Sequence, residues 1–258
     1  MRRVWRYFGL GALFCLLFLI FLVATAPATW LAWGVALGSR GVVNINTPTG
    51  SLWSGQGMLV IHRASDVPRA LGGVTWKIDP LVLVLGRLRL NLAIDGSDIQ
   101  AKSLIDLSYD TLTLRDLRAE FPAKAVTTFY APAALFAPEG LLQISADSVR
   151  MQKRGMHGSA QVNWRSAGLS LSSVKPLGNY RLYFNGHGES ADVEVNTESG
   201  SLTIAGKGNL VAATGQFMFN GTARPSAYAA ELEPLLGMMG PDRGGGQRQL
   251  NIRLDRLY

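Results

Sequence analysis

The chain has 258 residues, of which 48% are hydrophobic and 17% charged, and its formal net charge is +7. This balance excludes an intrinsically disordered chain, and the length suits one large all-β domain or two small domains. Three of the positive charges (Arg2, Arg3 and Arg6) precede a long apolar segment, so the surplus elsewhere is four. An excess of that size is ordinary and predicts no nucleic-acid partner.

The first element in chain order is residues 8–26, nineteen residues without a charge. As a helix this segment would be roughly 28 Å long, close to the ~30 Å hydrocarbon core of a bilayer. Arginines in residues 1–7, and no further charge before residue 40, predict a cytoplasmic tail (1–7), a single-pass anchor (8–26) and an interfacial linker (27–39). The alternative is a signal peptide cleaved after residue 26 or 28, where small residues have cleavage spacing.

Aromatic residues flank the apolar segment, with Trp5 and Tyr7 on one side and Trp30 and Trp33 on the other. This arrangement is typical of anchors at the two membrane interfaces. The single cysteine, Cys15, lies inside the segment. The exported part is therefore predicted to have no disulfide and to depend on its own core.

Beyond residue 40 the sequence alternates between apolar and polar residues, which is typical of half-buried strands. Such runs are predicted at 57–62, 74–79, 87–94, 98–107, 111–117, 141–151, 158–164, 180–185, 189–196, 201–205, 214–222 and 249–255. Glycine, asparagine, aspartate, serine and proline separate them. The pattern predicts an all-β dominated domain over the exported residues 40–258, with a twisted or curved antiparallel sheet in meander order.

Two segments have helical character. Residues 123–136 are interrupted by Pro132, which predicts two short turns or a kinked helix. Residues 226–239 carry apolar side chains near helical spacing, although Pro234 weakens the pattern. Residues 240–249, rich in glycine, are predicted to form a flexible connector to the final strand.

Weak internal similarities link residues 50–57 ("GSLWSGQG") with 200–208 ("GSLTIAGKG"), and residues 74–76 with 162–164. Glycine-rich β sequences produce such matches by chance. Two similar halves that extend each other therefore stay an open alternative for the sheet.

No constellation of catalytic residues is recognisable. His62, His157 and His187 are far apart, and none has a second histidine or cysteine at metal-ligand spacing. The Gly-Lys-Gly at 206–208 lacks the upstream glycine and the following serine or threonine of a phosphate loop, and there is no G-x-S-x-G elbow. The acidic residues fall at turns or on polar strand positions. We therefore expect no enzyme activity, no catalytic residue, no metal site and no cofactor.

Three tryptophans, Trp53, Trp76 and Trp164, lie at or near strand ends with glycine close by. Large rings beside glycine suit places where a sheet bends or bulges. We therefore expect structural roles for all three and burial for Trp53, which occupies the turn "GSLWSGQG".

In their order along the chain, several segments resemble protein N of the bacterial type II secretion system. They are "TGSLWSGQG" (49–57), "GGVTWKIDPLVLVLGRLRLNL" (72–92), "GSAQVNW" (158–164), "VKPLGNYRLYFNGHGES" (174–190) and "SGSLTIAGKGNL" (199–210). The resemblance implies an inner-membrane component or accessory of a machine that exports folded proteins from the periplasm. Its partners would be other subunits of that machine, and it transfers no catalytic residue. Residues 123–140 match no motif of the family.

Two modes of action are compatible with the sequence. Exposed strand edges can pair with a strand of another secretion subunit. The alternative is a periplasmic lipid-binding or lipid-transfer protein, because a curved sheet that is apolar on one face can hold acyl chains. A periplasmic hydrolase is disfavoured by the absent catalytic constellation.

Overall fold

A computed structural model of the chain describes residues 2–62, 68–129, 131–153 and 155–254; the side chains of residues 2–10, 12, 16, 128, 129, 131 and 132 are outside the description. The predicted flanking side chains of Arg2, Arg3, Trp5, Arg6 and Tyr7 therefore lie outside the described part. The chain divides into two compact units, residues 1–80 and 81–258.

The first unit contains two helices and a three-stranded antiparallel meander. Its elements are α1 (Arg2–Ala24), α2 (Ala28–Gly38), β1 (Val43–Gly50), β2 (Ser54–Ile61) and β3 (Arg69–Ile78). Helix α2 packs against β1. The predicted linker at residues 27–39 is thus mostly helical, and the sequence analysis predicted neither this helix nor β1.

A bulge explains why β1 was missed. Between Asn46 and Thr49, three residue steps of β1 lie opposite two of β2, and Thr47 has a φ of 47°. The inserted residue shifts the alternation of side chains, and Pro48 cannot donate a backbone hydrogen bond. The strand therefore lacks a continuous period-two pattern.

Trp76 on β3 is the large buried side chain of this unit, with 3% of its surface exposed. Its indole Nε1 lies 3.2 Å from each of the carbonyl oxygens of Ser51 and Leu52. A Cβ on Gly55 would lie 2.5 Å from the Trp76 ring. Glycine at position 55 is thus what lets the indole pack against the β1–β2 hairpin.

Trp53, at the tip of that hairpin, is half-buried. Its Nε1 donates a 2.9 Å hydrogen bond to the carbonyl of Val23 in α1, and the N–H of Leu52 donates one of 2.8 Å to Ala26. The turn therefore binds the segment that joins the two helices. The expected burial of Trp53 is thus found only in part, and the ring that packs beside Gly55 is that of Trp76.

Replacement of the two tryptophans separates these roles. We expect Trp76→Ala to lower the free energy of unfolding by about 3–5 kcal/mol, since it removes a buried ring. Trp53→Ala should cost only ~1 kcal/mol, the value of one hydrogen bond at a partly exposed site. Chemical denaturation of the full chain in neutral detergent, followed by circular dichroism, measures both. If the two variants lost the same free energy of unfolding, the assignment of Trp76 as the buried ring and Trp53 as a partly exposed one would be contradicted.

The second unit begins within α3 (Pro80–Val84), a short helix that the sequence analysis did not predict. Its ten strands are β4 (Leu88–Asp95), β5 (Gln100–Leu107), β6 (Thr111–Pro122), β7 (Glu139–Gln152), β8 (Gly155–Gly168), β9 (Gly178–Gly188), β10 (Ser190–Gly200), β11 (Leu202–Val211), β12 (Gln216–Pro225) and β13 (Arg248–Leu254). Each strand pairs antiparallel with the next along the chain. The predicted antiparallel meander is confirmed.

Short helical segments connect some of these strands. They are 3₁₀ turns at Ala123–Ala125 and Ala131–Leu135 with α4 (Val126–Phe129) between them, and α5 (Ala229–Met239) between β12 and β13. Both predicted helical segments are therefore confirmed, the first as a series of short turns.

Bulges keep the faces of the sheet consistent. On β6, β7 and β8 the register with a neighbouring strand shifts by one residue, and Asp116 and Ser166 at two of these places have φ values of 49° and 48°. An extra residue reverses the alternation of side chains. Apolar residues accordingly change spacing there, as from Leu114 to Leu117 and from Trp164 to Ala167.

The glycines at 206–208 have a packing role. A Cβ on Gly206 would lie 2.6 Å from the Phe219 ring, and a Cβ on Gly208 would lie 3.2 Å from the rings of both Phe217 and Phe219. The two phenylalanine rings stack with their centroids 6.4 Å apart. The absence of side chains at Gly206 and Gly208 thus leaves space for the aromatic rings of the neighbouring strand β12.

Candidate interaction surfaces

One face of the β4–β13 sheet is apolar. Cross-strand register places Leu90 opposite Ile105, Ile105 opposite Leu114, and Leu114 opposite Val149. Side chains two residues apart share a face, so the rest of this face follows from the same register. Over β4–β8 its apolar members are Leu88, Leu90, Leu92, Ile94, Ala101, Ile105, Leu107, Leu112, Leu114, Leu117, Ala119, Phe121, Leu142, Ile144, Ala146, Val149, Met151, Met156, Ala160, Val162 and Trp164.

Helix α5 covers one end of the apolar face. The buried cluster there consists of Ala167, Leu177, Tyr180, Leu202, Phe219, Ala223, Leu232, Leu235, Leu236 and Leu250. The Tyr180 hydroxyl donates a 2.8 Å hydrogen bond to the carbonyl of Leu202, and burial raises the pKa of Tyr180. The main core of this unit therefore lies between α5 and the last strands.

Away from α5 the same face is less well covered. Leu90, Ile105 and Leu114 are half-buried, and Leu107 is 45% exposed. Within the described residues of this unit, α5 is the only helix longer than five residues. The apolar side chains of β4–β7 therefore shield one another, and they form a surface that can take up further apolar contacts.

A buried arginine fixes α5 and its following loop. The Arg248 side chain is 4% exposed, with Nη2 2.6 Å from Oε1 of Glu233 on α5 and Nη1 2.8 Å from Oδ1 of Asp242. The N–H of Gly244 donates a 2.8 Å hydrogen bond to the same Asp242 oxygen. A buried guanidinium needs such partners because its desolvation is costly.

This ion-pair site lies in the segment predicted to be a flexible connector. Residues 241–247 close into a loop, in which the N–H of Arg243 donates to Gln247 and the N–H of Gln247 donates to Gly244. The Gly244 hydrogen bond and the Arg248 guanidinium hold the pKa of Asp242 below its ordinary value, and the two carboxylates raise the pKa of Arg248. The loop thus carries a ligand for Arg248.

The lowered pKa of Asp242 makes stability depend on pH. A carboxyl group with a depressed pKa in the folded state contributes stability above its unfolded pKa, 3.8, and loses that contribution as the pH falls through the folded value. We expect Asp242→Asn to have a lower melting temperature than the wild type near neutral pH, and the gap to narrow on acidification. Thermal unfolding from about pH 6 to about pH 2 measures it.

Glu231→Gln provides the control, because Glu231 is an exposed carboxylate on α5. Its unfolding profile should follow that of the wild type. A gap between Asp242→Asn and wild type that stays constant over the acid range would contradict the pKa argument.

The opposite face of the sheet is polar and carries a basic cleft. Arg89 of β4 lies opposite Asp106 of β5, Asp106 opposite Thr113 of β6, and Thr113 opposite Arg150 of β7. The cleft has a volume of about 360 Å³ and is also lined by Arg87 and by residues of the strand ends. Asp106 stands on a polar strand position, as the sequence analysis expected of the acidic residues, but its side chain is only 17% exposed and is paired.

A second, larger depression lies on the other end of the same strands. Its volume is about 700 Å³, and Lys102, Arg118, Glu120, Gln143 and Asn163 line it. The Arg118 guanidinium is 2.9 Å from Asp147, and the Gln143 amide donates a 2.8 Å hydrogen bond to Glu120. The Arg118 and Glu120 side chains in this depression are therefore each held by a partner.

The three histidines lie in two separate places of the described structure. His62 contacts the Asn44 amide at 3.0 Å in the first unit. His157 and His187 are exposed, and they are direct cross-strand neighbours on β8 and β9, which their distance in sequence conceals. In the described part of the chain, no three histidine, cysteine or acidic side chains lie close enough together to hold a metal ion.

The N-terminal region gives one further observation. Among the residues that the structure describes, none of the helices is both long enough and apolar enough to cross a membrane.

These features define the chain as an antiparallel β-meander protein with one apolar and one polar sheet face. The family model for type II secretion system (T2SS) protein N matches residues 42–251, from just before β1 into β13, so the chain belongs to that family. This confirms the resemblance found in the sequence, and it assigns the chain to type II secretion. No curated protein and no solved structure matches the chain.

Proposed function

We propose that the chain is an inner-membrane-anchored component of the type II secretion system that supports export of folded proteins through contacts with other subunits. The family match over residues 42–251 carries the proposal, because it includes nearly all of the described strands. In this role the chain acts by binding, without a catalytic site or cofactor. The sheet units lie in the periplasm and the N-terminus in the cytoplasm.

The anchor is proposed from the uncharged residues 8–26 and from the helix that follows. Helix α2 packs against β1 with one side, while Trp33, Leu37 and Trp30 are 69%, 64% and 48% exposed. Exposed tryptophans next to an apolar segment suit the interface between lipid and water. This supports a position of α2 at the periplasmic surface of the membrane.

Alkaline extraction tests the anchor. We expect the full chain to stay in the membrane pellet after sodium carbonate treatment, because insertion of an uncharged span is effectively irreversible. N-terminal sequencing of the pelleted chain should give Met1 or Arg2. A chain released into the supernatant and beginning at Pro27 or Thr29 would show that residues 8–26 are a cleaved signal.

The edge strand β13 is the proposed contact with a partner subunit. Among described strands it pairs only with β12, and on its other edge Arg248 forms a single bridge with Asp242, so the backbone groups beyond that bridge are available for strand addition. Ile252 on this strand is 45% exposed. Backbone pairing would supply affinity and side chains such as Ile252 would supply selectivity.

Co-purification from detergent-solubilised inner membrane tests this contact. The wild-type chain should recover other secretion subunits, and Ile252→Lys should lower their recovery roughly tenfold, because a charge on an edge disfavours strand addition. Met218→Lys is the control, since Met218 is 43% exposed on the interior strand β12. Failure of the wild type to recover any secretion subunit would overturn the proposed function.

A second candidate function, lipid binding, is favoured by the partly exposed apolar face of β4–β7. Acyl chains would remove from water the apolar surface that the described residues leave partly exposed on this face. The same purification separates the two candidates. Stoichiometric phospholipid without secretion subunits would favour lipid binding, and secretion subunits without bound lipid would favour the first function.

A further inference from the structure

We propose that the basic cleft on the polar face of β4–β7 is a binding site for a phosphate group. Its core is four arginines, Arg87, Arg89, Arg115 and Arg150, arranged around Asp106. The proposal is independent of which secretion subunit binds the chain.

Two of the arginines are already paired. Asp106 accepts a 2.8 Å hydrogen bond from Nε of Arg89 through Oδ1, and its Oδ2 lies 3.0 Å from Nη2 of Arg115. One carboxylate thus faces two guanidinium groups, which leaves an excess of positive charge and unused N–H donors at its centre. Asp106 orients both groups without neutralising them.

The other two arginines have no such partner. Arg87 and Arg150 are exposed and form no ion pair with any described residue. The single further carboxylate lining the described cleft, that of Asp110, accepts a hydrogen bond from the Thr111 hydroxyl. The cleft therefore holds four cations against two anions.

The geometry lets these groups converge on one ligand. Neighbouring strands lie about 4.8 Å apart, so the backbones of β4 and β7 are separated by roughly 14 Å. Arginine side chains from both sides of this gap can reach over β5 and β6, where the Thr113 hydroxyl lies between Asp106 and Arg150 in the register. The volume of about 360 Å³ is at the lower end of the range for ligand pockets, which suits a compact anion.

The chemistry favours phosphate over a carboxylate. A carboxylate has two oxygens in one plane, and a single guanidinium can satisfy both. A phosphate group is tetrahedral, with three terminal oxygens and up to two charges in a monoester and with two terminal oxygens and one charge in the diester of a lipid headgroup, so its oxygens can contact different guanidinium groups at once. Hydroxyl and amide donors at the rim, from Ser108 and Gln152, can complete its hydrogen bonds.

The test is a binding measurement on the full chain in neutral detergent. Isothermal titration with inorganic phosphate and with glycerol 3-phosphate probes the free anion, and flotation with vesicles of phosphatidylglycerol or phosphatidylcholine probes a lipid headgroup. Arg87→Gln and Arg150→Gln should each weaken binding at least about tenfold, as expected for loss of a charged hydrogen bond. Arg165→Gln should bind as the wild type does, because Arg165 is exposed on β8 outside the cleft.

Both substituted arginines are exposed, so the variants should melt with the wild type in the absence of ligand, which separates lost binding from lost folding. Binding of the soluble anions that depends on Arg87 and Arg150 identifies a free phosphate group as ligand, and binding only to vesicles with the same dependence identifies a headgroup. Three results would overturn the proposal: no binding of any of these probes, binding that the two substitutions leave unchanged, or binding of an acidic peptide alone.

Discussion

Register is the constraint on which the second unit depends. Because successive side chains of a strand point to opposite faces, a slip of one residue would turn every apolar side chain of that strand to the polar face. The ten strands keep their apolar side chains on one face. At Asp116 and Ser166 a bulge takes up one extra residue, so that the apolar side chains on both sides of the bulge stay on the same face. Residues with positive φ at these places are thus part of the pattern that defines both surfaces.

Large rings seated on glycines add to this control of register. Trp76 packs over Gly55 in the first unit, and Phe219 packs over Gly206 in the second. In each case the ring fills a space that a side chain on the facing strand would occupy. Such a fit favours the observed register of the two strands. In a shifted register the ring would collide with the Cβ of another residue, which costs free energy.

The sequence was sufficient for the type and order of most elements, because period-two alternation is a local signal. It predicted twelve of the strands, and it failed at β1, where the bulge at Thr47 disturbs that alternation. It also missed α2, whose residues are almost uniformly apolar, so that no helical period is visible. Both failures arise where the local sequence does not show the regular spacing of apolar and polar residues on which the prediction depends.

Neither the basic cleft nor the ion-pair site of Arg248 could be derived from a local pattern in the sequence. The basic cleft joins Arg89, Asp106 and Arg150, which are neighbours only through the register of four strands. Likewise, the buried Arg248 stands in a glycine-rich segment whose composition indicates only a loop. Trp53 and Trp76 occur in similar surroundings, and the choice of which one is buried depends on the fit at Gly55. Contacts of this kind need the pairing of strands to be known.

The pairing of each strand with its chain neighbour has a consequence for how the second unit forms. Contacts in a meander are local in sequence, so little chain entropy is lost before each hairpin gains its hydrogen bonds. A chain that folds from its N-terminus can add β4 to β13 one after another. Each new strand then covers the open edge of the one before it. Arg248, at the start of the last strand, meets Glu233 and Asp242 only when that strand arrives, so burial of this guanidinium completes the sequence of additions.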